Sequence, residues 1–260
     1  MTSPLRLIIA GAAGRMGKAL IDAASIDAGM KVVAGTECAD VPRGPTPFPV
    51  EADPKAAAAI GADVWIDFTT PAATLNALPH LAQAGIKAAV LGATGFTPEQ
   101  QEQVNAAAAK LAIVQSGNFS LGVALLCALV ERAAASLDQA WDIEILETHH
   151  RHKQDAPSGT ALMLGKAAAA GRGQTLSDLQ LPPHFGQSGP RQEGGIGFAV
   201  VRGGGIIGAH SALFASAHET LTLSHEALDR GVFASGALAA ARWVHQKPAG
   251  LYSIRDVLGL

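Results

Sequence analysis

The sequence predicts an α/β fold, a parallel sheet flanked by helices, joined to a smaller α+β part with a mixed sheet. Three observations predict it. An apolar strand near the start runs straight into a glycine-rich turn and a helix, strands and helices then alternate to about residue 120, and a run of strands follows late in the chain.

Leu5-Arg6-Leu7-Ile8-Ile9-Ala10 reads as the first strand, buried on both faces, and Gly11-Ala12-Ala13-Gly14-Arg15-Met16-Gly17 as the turn into an amphipathic helix through Ala24. The glycines fall at every third position, and Ala12 stands in the first glycine's place of the dinucleotide-binding pattern G-x-G-x-x-G. Small residues there let the backbone turn sharply, let a pyrophosphate approach the amides, and let the helix pack on the strand. A second strand, Lys31 to Ala34, leads to Glu37, 20 residues past Gly17, where a ribose-binding carboxylate is expected. Together these features make the first part Rossmann-like. A 2′-phosphate would need a cation after Glu37, and the chain has Cys38, Ala39 and Asp40. NADH is therefore expected to bind at least as well as NADPH, with Arg15 the nearby cation that could admit NADPH.

The alternation continues in order. Pro42 to Pro54 is proline-rich and reads as a loop crossing the sheet edge. Strands are expected at Val64–Phe68, Ala88–Leu91 and Ala112–Val114, with helices at Ala72–Ala84 and Thr97–Lys110 between them. The strands end in Thr69-Thr70-Pro71, in Gly92-Ala93-Thr94-Gly95-Phe96 and in Ser116-Gly117-Asn118-Phe119. Ligands of a parallel sheet lie at such carboxyl ends. Leu121 to Leu137 is a nearly uncharged helical run, expected to be buried. Gly171 to Gly195 has little periodicity. Ile196–Val201, Ala209–Ala217 and Thr220–Ser224 read as strands, Val232–Val244 as a final helix, and Tyr252–Leu258 as a segment closing on the first part.

The chemistry concentrates in Glu147-Thr148-His149-His150-Arg151-His152-Lys153-Gln154-Asp155-Ala156-Pro157-Ser158-Gly159-Thr160-Ala161. A strand, Trp141–Leu146, precedes it, and an alanine-rich helix follows towards Ala170. If the backbone stays extended, His149, Arg151 and Lys153 share one side and His150 and His152 the other. Pro157 keeps Ala156 out of helical geometry, and Ser158 reads as the N-cap. The amide groups at the helix start then form an anion site. Imidazole, ammonium and helix N-terminus describe a pocket for a carboxylate-bearing substrate, with a group able to pass a proton near neutral pH. Two other readings exist. A charge run can be a solvated surface, but the preceding strand is apolar and Asp-Ala-Pro-Ser-Gly-Thr is too particular for a plain turn. A metal site would want ligands at wider spacing, completed by a carboxylate or thiolate, so no metal is expected.

Composition bounds the rest. The 260 residues are 48% apolar and 16% charged, enough for a substantial core, and the net charge of −3 gives no support for a nucleic-acid partner. Cys38 and Cys127 are in no metal or redox spacing, which suggests a reducing compartment. With no visible signal peptide and no apolar run that spans a membrane, a cytoplasmic protein is expected.

Taken together, Gly11–Gly17, Gly92–Phe96, Asn118–Val123, Glu147–Ala161, Arg202-Gly203-Gly204, and Ser224-His225-Glu226-Ala227 with Phe233-Ala234-Ser235-Gly236-Ala237 resemble the dihydrodipicolinate reductase family, also called 4-hydroxy-tetrahydrodipicolinate reductases, of bacterial lysine and diaminopimelate synthesis. The resemblance implies an NAD(P)H-dependent reduction of a small cyclic dicarboxylate. It implies His149 as proton donor and Lys153 as second catalytic group. It implies that His150, Lys153, Ser158, Gly159 and Thr160 hold the substrate. Gly11, Ala12, Ala13, Gly14, Arg15, Met16, Glu37, Gly92, Ala93, Thr94, Ser116, Gly117, Asn118 and Phe119 would line NADH or NADPH. A nucleotide domain over 1–120 and 231–260, a substrate and oligomerisation domain over 121–230, and a homotetramer are implied as well. The chain departs from many members at Cys38 (arginine), Ala93 (threonine), Gly117 (proline) and Gly205 (an acid), and none of these removes a catalytic group. Another nicotinamide enzyme, such as an aspartate dehydrogenase, and a non-catalytic dinucleotide sensor remain alternatives, since fold alone does not fix function.

Overall fold

The structure, a computed structural model, describes residues 3–42 and 44–260. The chain divides into two compact units, one comprising the residues up to Leu121 with Arg230–Leu260, the other Gly122–Asp229.

The first unit is built on β1 (Leu5–Ala10), α1 (Arg15–Ser25), β2 (Met30–Thr36), β3 (Val50–Glu51), α2 (Pro54–Ala59), β4 (Val64–Asp67), α3 (Pro71–Gln83), β5 (Ala88–Leu91), α4 (Pro98–Ala108) and β6 (Ala112–Gln115). Its strands pair in parallel. A parallel sheet covered by helices must bury both strand faces, and the sequence meets this with continuous apolar runs. Leu7, Ile8, Ile9 and the whole of Val64–Asp67 are buried. Trp65, Ile8 and Leu91 meet alanines of α2 and Leu78 and Leu81 of α3 in one core. Three of the helices start at a capping residue followed by proline: Asp53-Pro54, Thr70-Pro71 and Thr97-Pro98. The cap side chain accepts an otherwise unpaired N–H, and proline loses nothing where its missing N–H has no partner.

Two of these elements were not foreseen. Pro42–Pro54 is not wholly loop: Val50 and Glu51 form β3, beside Gly35 and Thr36. Two residues are too few to show a period. The six residues of α2, Pro-Lys-Ala-Ala-Ala-Ala, are equally featureless, having no polar face.

The second unit comprises α5 (Leu121–Ser136, which enters it from the first), β7 (Asp142–His149), α6 (Gly159–Gly171), α7 (Leu176–Leu179), β8 (Ile196–Arg202), β9 (Ala209–Ala215) and β10 (Thr220–Glu226). Its sheet, in the order β10-β9-β7-β8, is mixed: β7 is parallel to β8 and antiparallel to β9, and β9 is antiparallel to β10. Ile143, Ile145, Ala212 and Phe214 point from one face into a core shared with α5 and α6. The opposite face carries Leu146 and the exposed Val201. The long apolar run of α5 is not buried all round, since Leu125 and Leu129, one turn apart, are exposed.

The chain ends in the first unit with α8 (Gly231–Val244), β11 (Gly250–Tyr252) and α9 (Ile254–Leu258). Strand β11 pairs with β6 and completes a seven-stranded sheet in the order β11-β6-β5-β4-β1-β2-β3. The strand order reverses between β1 and β4, which makes their carboxyl ends the switch point where such sheets take ligands.

Candidate active site

In the first unit, the turns at the carboxyl ends of adjacent strands touch one another. Gly11 has φ +66°, and a methyl group there would lie 2.8 Å from Thr69 Cγ2, so the turns after β1 and β4 are in contact. Gly92 lies under the Phe68 ring, whose other neighbour is Phe119, edge-on at 5.1 Å. The turns after β4, β5 and β6 are joined in this way. At the head of α1, a Cβ on Gly17 would come within 2.1 Å of the Gly11 carbonyl oxygen. That glycine lets helix and turn meet backbone to backbone. Glu37, just past β2, accepts hydrogen bonds from the amides of Ala13 (2.9 Å) and Cys38 (3.0 Å), which fixes its carboxylate beside the turn. Ser116 Oγ bonds the Asn118 carbonyl and amide, closing the turn after β6. Gly11–Met16, Glu37, Gly92–Thr94 and Ser116–Phe119 thus belong to one end of one sheet. Phe119 is itself buried, its ring against Phe68.

In the second unit, the pleat of β7 puts Ile143, Ile145, Glu147 and His149 on one buried face. Its apolar half anchors the strand, and its last two inward positions are ionisable. Glu147 lies opposite His210 of β9, and His149 opposite Arg202 of β8. Four polar side chains from three strands therefore converge. The Arg202 guanidinium grips Glu147 with two bonds of 2.8 Å, the Ser158 amide donates to it at 2.9 Å, and His149 Nδ1 meets its Oε2. Burial would raise the Glu147 pKa, but the hydrogen bonds from Arg202, His149 and Ser158 outweigh it and hold the carboxyl below its usual range. A carboxylate can only accept, so Nδ1 of His149 carries a proton. His149 Nε2, on the other side of the ring, is close to Gly208, where a Cβ would sit 3.0 Å from it.

Beyond His149 the strand stops. The Arg151 amide donates to the Gly204 carbonyl, and the chain turns at Arg151 and His152. The expected alternation of His149, Arg151 and Lys153 on one side therefore does not hold. His150 and His152 stay neighbours, with ring centroids 6.3 Å apart. Lys153 Nζ is bound by both oxygens of Asp155 at 2.8 Å. After a cis Ala156–Pro157 peptide, Ser158 caps α6, accepting the Ala161 N–H at 3.1 Å. Its hydroxyl also meets His210 Nε2 at 3.0 Å. With its amide on Glu147, Ser158 is thus fully engaged within the protein, whereas a Cβ on Gly159 would meet open space. His210, edge-on to His149 at 5.0 Å, has its pKa lowered to about 4, first by burial and then by the charge of His149, and is neutral near pH 7.

Glu147, Arg202, His210 and Asp155 had not been given roles from the sequence. Glu147 and His149 are two apart on a strand, and His210 keeps the parity of Ala212 and Phe214, so period-2 reading carried a signal for both. Arg202 reaches them only through the β7–β8 register. Among the described residues, no three His, Cys, Asp or Glu side chains are grouped so as to hold a metal ion.

Residues 5–119 match the family described as "Dihydrodipicolinate reductase, N-terminus", and residues 122–258 the one described as "Dihydrodipicolinate reductase, C-terminus". The chain belongs to the dihydrodipicolinate reductase family. Members of the family include the 4-hydroxy-tetrahydrodipicolinate reductase of Caulobacter vibrioides, 51% identical over 100% of this chain and 99% of that protein. The protein of the same name from Parvibaculum lavamentivorans is 48% identical, over 100% of both chains. A dipicolinate-bound dihydrodipicolinate reductase from Paenisporosarcina sp. TG-14 superposes with a TM-score of 0.82 at 29% identity, covering 97% of this chain and 99% of that one. A meso-diaminopimelate dehydrogenase variant from Clostridium tetani, at 13% identity and a TM-score of 0.59, covers 97% of this chain and 94% of its own and shares the fold. As a dihydrodipicolinate reductase family member, the chain is an oxidoreductase of the kind that uses a nicotinamide cofactor.

Proposed function

We propose that this chain reduces 4-hydroxy-tetrahydrodipicolinate to tetrahydrodipicolinate in lysine and diaminopimelate synthesis, with a proton from His149. The observation that carries the reading is His149, anchored by Nδ1 on a buried, ionised Glu147, in the same corner as the N-terminus of α6. The nicotinamide, when bound, supplies the hydride. The amides of Gly11–Met16 at the head of α1 would hold its pyrophosphate, Glu37 a ribose hydroxyl, and the turns Gly92–Thr94 and Ser116–Phe119 its remaining length. The Cβ-free approach of Gly17 to Gly11 and the fixed carboxylate of Glu37 fit such a group.

The substrate's hydroxyl leaves with a ring proton as water, and His149 Nε2 then gives the proton that balances the hydride added to the resulting unsaturated ring. His150, Lys153, Gly159 and Thr160 take the substrate carboxylates, Lys153 exchanging the carboxylate of Asp155 for one of theirs, while Ser158 shapes the site from within. A dicarboxylate suits this place because ammonium, imidazole and helix N-terminus all favour negative charge. Cys38 beside Glu37 supports NADH as at least the equal of NADPH. Residues 1–120 with 231–260 act as the nucleotide domain and 121–230 as the substrate domain. Four copies assemble through the open face of the second unit's sheet, where Leu146 and Val201 offer apolar surface. No helix among the described residues is long and apolar enough to cross a membrane, and the working place is the cytoplasm. Steady-state turnover with the cyclic substrate tests the reading. Tight binding of NADH without turnover would point instead to a dinucleotide sensor.

A further inference from the structure

Among the described residues of the second unit, Glu147 is the acid whose side chain is completely buried. Its two oxygens offer about four acceptor directions. Four donors fill them: both terminal nitrogens of Arg202, the Ser158 amide and His149 Nδ1. We infer that Glu147 is a positioning residue that fixes the tautomer and the aim of His149 and ties that ring to the N-cap of α6. The inference rests on His149 being the proton donor, as proposed above.

The geometry leaves few alternatives for the ring. An acceptor-only partner keeps the Nδ1 proton in place, so His149 can exchange a proton with a ligand only through Nε2. After donating, the ring is left as the Nδ1–H tautomer without having to rotate. Arg202 balances the carboxylate and, through a 2.8 Å bond to the Asp155 carbonyl, also holds the turn that follows. His210, the other imidazole against the ring, is neutral near pH 7 and adds no repulsion. The Ser158 bond sets the distance between the ring and the start of α6, where a carboxylate would dock. One buried carboxylate thus aligns the group that gives the proton with the place that holds the substrate.

The test is Glu147→Gln. Its remaining oxygen can keep the Ser158 amide, but its NH2 then faces Nδ1 and drives the ring proton to Nε2. The expected results are a fall in kcat of about 10–100-fold with dipicolinate affinity changed by less than about threefold and NADH affinity unchanged. In a His149→Gln background the same substitution should cost less than about twofold, because its effect passes through the ring. Equal losses in both backgrounds, or unchanged kcat in the single variant, overturn the inference. Nitrogen-15 NMR of labelled histidines in the unaltered protein reads it without any variant: Nδ1 of His149 protonated supports it, and a neutral ring protonated on Nε2 alone refutes it. If His149→Gln itself turns over normally, the proton-donor reading fails and this inference with it. If only Glu147→Gln is normal, this inference alone fails.

Discussion

Replacing Gly17 by alanine tests whether the turn at the head of α1 holds the cofactor. The added Cβ would lie 2.1 Å from the Gly11 carbonyl oxygen and 2.8 Å from Ala12 Cα, all of it backbone. Carbon–oxygen contacts settle at about 3.3 Å or more, so turn and helix must part by roughly 1.2 Å. Alanine is worth about 1 kcal/mol over glycine inside a helix. Overpacking costs about 1–3 kcal/mol, and against backbone the upper end applies, so the net loss of stability is about 2 kcal/mol. The larger effect falls on the ligand. The same turn donates the Ala13 amide to Glu37, so a parting of that size disturbs the pyrophosphate amides and the ribose acid together. NADH affinity, followed by fluorescence titration, should weaken at least about tenfold, or about 1.4 kcal/mol. Dipicolinate, assigned to the other unit, should bind as before. Gly44→Ala, outside the cofactor turns, is the comparison: its Cβ meets nothing within 4 Å, and it should change NADH affinity by no more than about twofold. A Gly17→Ala protein with unaltered NADH affinity would refute the reasoning.

Other outcomes follow from the same contacts. His149→Gln should lower kcat by about 10²–10⁴-fold if the imidazole is the general acid, and near-normal turnover would reassign the proton. Lys153→Ala should raise KM and lower kcat together, and a change in neither removes Lys153 from the mechanism. Cys38→Arg places a cation beside Glu37 and should shift the ratio of kcat/KM values towards NADPH, whereas an unmoved ratio shows that this position does not read the 2′-phosphate. His210 titrates at about 4 in the fold against 6.5 as a free side chain. Between those values the unfolded chain binds a proton that the folded one refuses, so its stabilising contribution is complete above pH 6.5 and falls as pH drops towards 4, by about 3 kcal/mol. Urea midpoints should fall over that window, and less steeply in His210→Gln; parallel curves would contradict the assignment.

What the sequence made legible is what local rules govern. The buried run Leu7–Ala10 and the glycine turn after it are each decided within a few residues. So is the cap at Ser158, although β7 runs past the expected Leu146 to His149. What escaped was set by distant strands. Glu147 becomes a hub only because β8 brings Arg202 and β9 brings His210 beside it, and no spacing in one chain announces a register. Past His149 the side chains stop alternating, because Gly204, more than fifty residues away, takes the Arg151 amide where the chain turns. Lys153 looked available to a ligand because an ion pair two residues on is invisible until the backbone bends Asp155 back to it.

The most direct test of the account is the loss of NADH or NADPH absorbance when the substrate is made in place from pyruvate and aspartate semialdehyde by the preceding synthase. Oxidation that depends on the synthase, with NADH used at least as well as NADPH, is the predicted result. Folded protein that binds either cofactor yet oxidises neither would contradict it.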